Sequence, residues 1–226
     1  MTPTPTSALP VYLEVGKKRT FAAALDWPGW CRSGPDEETA LQALAAYARR
    51  YKAALGSRAR GLSVSGVGDL RVIERVAGDA TTDFGAPGAV PRADEHPVEP
   101  KELDRQLRIL RACWDAFDRI AAAASGVPLA KGPRGGGRDL DKIRAHVREA
   151  EAAYLGRLGG KVAGRERADA EAVRSAFSAA AVARARGEVP DQGPRGGLRW
   201  PAPYAIRRAA WHVLDHAWEI EDRAGS

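Results

Sequence analysis

Residues 100–124 read Pro-Lys-Glu-Leu-Asp-Arg-Gln-Leu-Arg-Ile-Leu-Arg-Ala-Cys-Trp-Asp-Ala-Phe-Asp-Arg-Ile-Ala-Ala-Ala-Ala. Leu103, Leu107, Leu110, Trp114, Phe117, Ala121 and Ala124 recur at alternating four- and three-residue steps, the seam of a helix packed in a bundle. Three further helical patterns follow. A helix over about 139–158 places Leu140, Ile143, Val147, Ala150 and Tyr154 on one face, with Asp139 as its cap. A third, about 166–186, turns Val173, Phe177 and Ala181 inward and ends at Gly187 and Pro190. The last, about 202–223, carries Ile206, Ala210, Val213, Ala217 and Ile220. Four helices of this length predict a four-helix bundle over residues 101–226.

Upstream the periodicity is different. Val11, Leu13 and Val15, then Phe21, Ala23 and Leu25, alternate on either side of Gly16-Lys-Lys-Arg19, which predicts a β-hairpin. Asp36 precedes Glu37 and Glu38 and suits an N-cap; a helix over about 37–55 follows, with Leu41, Leu44, Ala48, Tyr51 and Leu55 as its stripe and Gly56 as its stop. Leu70–Val76 reads as a weaker strand, because Glu74 interrupts the inward set and Ile73 points the other way. Residues 1–77 thus form a small α+β domain. Residues 78–100 carry Gly, Pro, Asp and Thr without periodicity and read as a linker. The fold class is α+β.

Composition narrows the function classes. Hydrophobic residues make up 44% and charged residues 28%, a globular balance. No apolar run reaches the ~18 residues that a membrane helix needs. The opening Met-Thr-Pro-Thr-Pro-Thr-Ser lacks a basic start and an apolar block, so the expected location is cytoplasmic. The net charge of +6 could suit nucleic acid, but most arginines alternate with Asp and Glu along helices, which argues against that partner. Cys31 and Cys113 fall in different domains; both read as reduced thiols, and a cysteine-based zinc knuckle is excluded.

The chain has four histidines. His212 and His216, four residues apart in Trp-His-Val-Leu-Asp-His-Ala-Trp-Glu-Ile (211–220), would lie side by side on one helix face, where two imidazoles can share a cation. His146 on the second helix is the third candidate ligand. The bland alternative is a packed or rim histidine, and on a helical wheel His212 and His216 fall at the edge of the apolar stripe. His96, beside Pro97, reads as solvated. Neutral imidazoles suit Zn²⁺, Ni²⁺, Fe²⁺ or Mn²⁺, and three of them leave coordination positions open, as catalytic sites do. Neither His-Glu-x-x-His nor Glu-x-x-His occurs, so a mononuclear centre is expected. Asp215, Glu149 and Glu219 are candidate acceptors for the imidazole N–H groups. Trp200, Trp211 and Trp218 could wall a pocket, and Arg134, Arg138, Arg195 and Arg199 could meet an anion, although loop arginines are more often simply solvated. The pentapeptide Gly-Pro-Arg-Gly-Gly occurs at 132–136 and at 193–197, ahead of both histidine-bearing helices; duplication of a helical hairpin would explain it, as would chance recurrence.

A four-helix chain with one histidine on its second helix and His-x-x-x-His on its last resembles the DinB-like superfamily. The resemblance covers residues 101–223. It implies an up-down-down-up helix order with a crossover between the second and third helices, where Gly159 to Arg165 is short. It also implies a divalent metal held by His146, His212 and His216, and a thiol-dependent S-transferase or hydrolase with a low-molecular-weight thiol as co-substrate. Residues 9–76, with Phe-Ala-Ala-Ala-Leu-Asp-Trp-Pro-Gly-Trp-Cys (21–31) and Glu-Thr-Ala-Leu-Gln-Ala-Leu (38–44), resemble HicB-like antitoxin domains. That likeness implies the alternative function: a non-enzymatic regulatory module that docks a protein partner through residues 1–77, with the bundle as scaffold. Monomer and homodimer both remain open.

Overall fold

The computed structural model describes residues 8–131 and 137–225. The chain is α+β, a four-stranded sheet followed by helices, and it divides into two compact units, Met1–His96 and Pro97–Ser226.

In the first unit β1 (Leu9–Val15) and β2 (Thr20–Ala24) form the expected hairpin, closed where the Gly16 N–H donates to the Arg19 carbonyl at 2.9 Å. A short β3 (Cys31–Gly34), not anticipated from the sequence, pairs with β2. It is reached through a turn at Pro28-Gly29, where Gly29 has φ 90°, a conformation that favours glycine. The expected single helix is two: α1 (Glu37–Ala46) and α2 (Ala48–Leu55), parted at Tyr47, whose ψ is −5°. Asp36 caps α1 as expected, accepting from the Thr39 N–H at 2.8 Å. The helices bridge to β4 (Leu70–Ala77), which lies parallel to β1, so the order is β3-β2-β1-β4. A parallel pair needs such a crossover. Leu13, Trp30, Leu44 and Tyr51 are fully buried. The Trp30 indole N–H donates to the Leu44 carbonyl and the Tyr51 hydroxyl to the Pro28 carbonyl.

The segment 78–100, expected as a linker, is largely folded structure. It contains α3 (Ala80–Phe84) and a 3₁₀ turn at Arg92–Glu95, and residues up to His96 belong to the first unit. Its anchor is Glu14 on β1. This fully buried carboxylate accepts from the Thr82 hydroxyl and from the N–H groups of Gly88 (2.8 Å) and Ala89 (3.0 Å). A buried carboxylate must be hydrogen-bonded, and its donors lie far along the chain, where periodicity gives no signal.

The second unit consists of α4 (Pro100–Ala123), α5 (Leu140–Leu158), α6 (Ala170–Ala185) and α7 (Ala202–Ala224). The α4 seam is buried at Leu103, Leu110, Trp114, Phe117, Ala121 and Ala124, while Leu107 is half-buried. Gln106, Ile109, Cys113 and Ala116 broaden the buried face. Helix directions follow from side-chain neighbours. Ile120, Ala123 and Ala124 share a cavity with Ile220, Glu221 and Ala224, so α4 and α7 run the same way. α5 opposes α7, since His146 meets His216 at one end and the Arg157 carbonyl accepts from the Trp200 N–H at the other. α6 runs with α5: Ala170 borders the cavity of Arg144 and Val147, Arg174 meets Glu151, and Ala180 lies against Gly160. The order is up-down-down-up. Residues 159–169 make the crossover; they can extend to ~36 Å, enough to span the ~28 Å length of α5.

Arg174 ties three helices together. Its guanidinium, 5% exposed, pairs with Asp118 of α4 and with Glu151 of α5, the latter at 3.3 Å. Burial pushes the Glu151 carboxyl up to about 7, opposed by the Arg174 charge. Of the two pentapeptides, 132–136 lies outside the described residues, as does Arg134. The second forms a tight turn in which the Gly193 N–H donates to the Gly197 carbonyl.

Candidate metal centre

The site forms where the middle of α7 faces the first half of α5. α7 is buried around most of its circumference, from Ala202 to Ile220. Alanines at 205, 209, 210 and 217 let neighbouring helices approach closely. His212 is therefore enclosed at 7% exposure rather than left at the edge of the stripe. His146 and His216 are half-buried and face it.

The three expected ligands come together. His146, His212 and His216 each offer a ring nitrogen, and these lie within 4.8 Å of one another. The Nε2 atoms of His146 and His212 are 3.3 Å apart. Two nitrogens sharing a tetrahedral Zn²⁺ at ~2.0–2.1 Å stand ~3.3–3.4 Å apart, so this pair already has coordination spacing. The ring centroids are 4.7 Å apart for His212 and His216 and 5.0 Å for His146 and His216. No other group of this kind is found among the described residues.

Protonation favours the ligand form. Burial, with the nearby His216, Arg208, His146 and Arg138, depresses the His212 imidazole to about 2, so it is neutral at physiological pH. Burial and His216 also lower His146. His216 Nδ1 lies 2.8 Å from Glu219 Oε2. That contact makes Nδ1 the donor and leaves the Nε2 lone pair for a cation. Glu219, held below its usual range chiefly by this bond, also pairs with Arg223 at 2.7 Å. Among the expected acceptors, Glu219 is hydrogen-bonded to a site imidazole, while Glu149 is exposed and acts on His146 electrostatically. Neutral nitrogen donors, one with its tautomer fixed by a carboxylate, fit a borderline divalent ion such as Zn²⁺.

An aromatic wall adjoins the imidazoles. Tyr154 of α5 sets its ring edge-on to His212 at 5.7 Å, and Trp200 packs on Tyr154 at 5.3 Å. Arg208, one turn before His212, stacks over Tyr154 at 5.5 Å and Trp211 at 4.6 Å. Neither Tyr154 nor Arg208 stood out in the sequence as a site residue; both would follow from projecting α5 and α7 onto a shared face with the histidines. The expected loop arginines divide. Arg138 acts electrostatically on His146 and His212, whereas Arg199 donates to the Pro190 carbonyl at 2.9 Å and Arg195 is exposed. His96 is exposed, and Cys31 and Cys113 are buried and not joined in a disulfide, Cys113 with its ionisation suppressed by burial. No helix is long and apolar enough to cross a membrane among the described residues. Comparison of the chain with protein-family models, curated proteins and solved structures finds no match.

Proposed function

We propose that the second unit is a mononuclear metal centre of DinB-like type, holding a divalent ion (Zn²⁺, Ni²⁺, Fe²⁺ or Mn²⁺) on His146, His212 and His216 and using it for thiol-dependent transfer or hydrolysis. The observation that carries this reading is the convergence of three imidazoles from two helices, with one nitrogen pair at 3.3 Å. The up-down-down-up helix order supports the DinB-like assignment. When bound, the ion supplies a Lewis acid that draws the pKa of a coordinated water or thiol toward neutrality. The chain does the rest. Glu219 orients His216, burial keeps His212 deprotonated, and Tyr154 with Trp200 covers the flank of the imidazoles.

The experiment is metal analysis of untagged protein beside His212→Ala. About one divalent ion per chain in the wild type and a negligible amount in the variant is expected; negligible metal in both refutes the centre.

A second reading concerns the first unit. Its hairpin, the Pro28-Gly29 turn into Cys31 and the following capped helix support a HicB-like protein-docking module. If that reading holds, immobilised full-length chain recovers one specific protein, and recovery is lost when the unit's exposed face around Ile73 is changed to Ile73→Glu. Recovery unaffected by the variant, or absent from the outset, counts against it.

A further inference from the structure

The centre as proposed carries an excess of positive charge. Its ligands are imidazoles, which bring no negative charge; Arg138 and Arg208 both act electrostatically on His212, and the Arg208 guanidinium borders the Tyr154 ring that faces His212. Glu149 and Glu219 are the acidic groups felt by His146, and Glu219 already shares its charge with Arg223. Arg208 is the more telling cation. Its guanidinium lies over both the Tyr154 and the Trp211 ring, and its Nη1, out of reach of solvent, has no hydrogen-bond partner. An arginine nitrogen in such a place is costly unless something accepts from the group. Tyr154 touches both Arg208 and His212, so the guanidinium and the imidazole cluster border the same aromatic ring. Along α7 they are separated by four residues, a rise of ~6 Å.

We propose that Arg208 is the anion-recognising residue of this centre, so that the ligand it takes is a small carboxylate-bearing molecule whose second polar group reaches the metal about one helical turn away. The inference rests on the metal-centre reading. A planar guanidinium meets a carboxylate through paired N–H···O bonds. Tyr154 and Trp211 make ring contacts with that guanidinium, so an acceptor for its buried Nη1 has to come from elsewhere. An uncharged substrate would leave the excess charge standing; a carboxylate offsets it.

The test uses full-length, untagged protein loaded with Co²⁺, whose visible bands report ligands entering the coordination sphere. Glutarate, with two carboxylates, is titrated against acetate, with one. In the wild type glutarate should half-saturate the spectral change at a concentration ~10-fold or more below that of acetate, as expected for one added charge-assisted pair. Arg208→Gln should bind the same amount of cobalt, respond to acetate as before, and lose the preference for glutarate. Arg208→Lys should keep part of it. Equal affinities in the wild type, or a preference that survives in Arg208→Gln, overturn the role of Arg208 while leaving the metal centre standing. Failure of the wild type to develop cobalt bands overturns the centre and this inference together.

Discussion

Enclosure of His212 has a measurable price in acid. In an unfolded chain an imidazole titrates near 6.5, whereas burial beside other cationic groups holds His212 at about 2. Because the folded-state value is the lower one, the native protein binds fewer protons than the unfolded chain throughout the interval between them. Stability is therefore full above about 6.5 and is lost as pH falls from there toward 2. At pH 4.5 the unfolded ring is almost wholly protonated and the native ring is not, a difference of roughly 2–3 kcal/mol against pH 7.5. The group is 7% exposed, so solvent screening takes little from this figure. The perturbation is His212→Gln, which keeps a neutral hydrogen-bonding side chain and removes the titration. Urea unfolding of both proteins in EDTA, at pH 7.5 and 4.5, isolates the effect, because Glu151, His146 and the remaining groups contribute to both. The wild type should lose roughly 2–3 kcal/mol more than the variant across this interval. Equal losses would mean that His212 is protonated in the native state, and the account of a desolvated, ligand-ready imidazole would fail.

Three further outcomes are expected. Arg174→Met leaves Glu151 buried without its cation and should cost ~3–5 kcal/mol at pH 8, with much of the loss recovered in Arg174→Met/Glu151→Leu; because burial raises Glu151, the cost of the single change should shrink at pH 5, where the carboxyl takes up a proton. Glu14→Gln weakens the acceptor that Thr82, Gly88 and Ala89 share, and should cost ~1–3 kcal/mol with faster amide exchange across residues 78–90, whereas unchanged exchange would count against the anchor. Glu219→Gln should lower Zn²⁺ affinity ~10–100-fold by calorimetric titration, since it loosens the His216 tautomer; an unchanged affinity would place Glu219 outside the centre.

The helices of the second unit were legible because each carries an apolar stripe. The expected spans 139–158 and 202–223 fall within one residue of α5 and α7, and Asp36 and Asp139 cap where their side chains predict. The three histidines were legible as a set because their spacing and helical placement require only that α5 and α7 face each other. What could not be read depends on contacts distant in sequence. β3 is four residues long with an Arg-Ser-Gly tail, too short for alternation to register. The stretch 78–96 is held by bonds distant in sequence, to Glu14 from Thr82, Gly88 and Ala89 and to Glu74 from the Arg92 N–H, and Glu14 alternates as an ordinary outward residue in the strand pattern. The burial of His212 escaped the helical wheel because the wheel assumes one buried face, while α7 is enclosed by α4, α5 and α6 together.

That enclosure connects stability to the proposed chemistry. α7 buries Ile206, Val213, Leu214 and Ile220 in the same turns that carry Arg208, His212 and His216, so the imidazoles cannot move without disturbing the core. A ligand set held this way is preorganised, and ordering it on metal binding costs little additional conformational entropy. Desolvation makes the same point electrostatically. Metal binding to a solvated histidine competes with a proton as pH falls below about 6.5, but His212, held at about 2, gives up no proton to a metal at any physiological pH. The pH dependence of metal affinity should therefore carry no contribution from His212, and a binding curve requiring three displaced protons near pH 6 would show that the buried imidazole is not the ligand its geometry makes it.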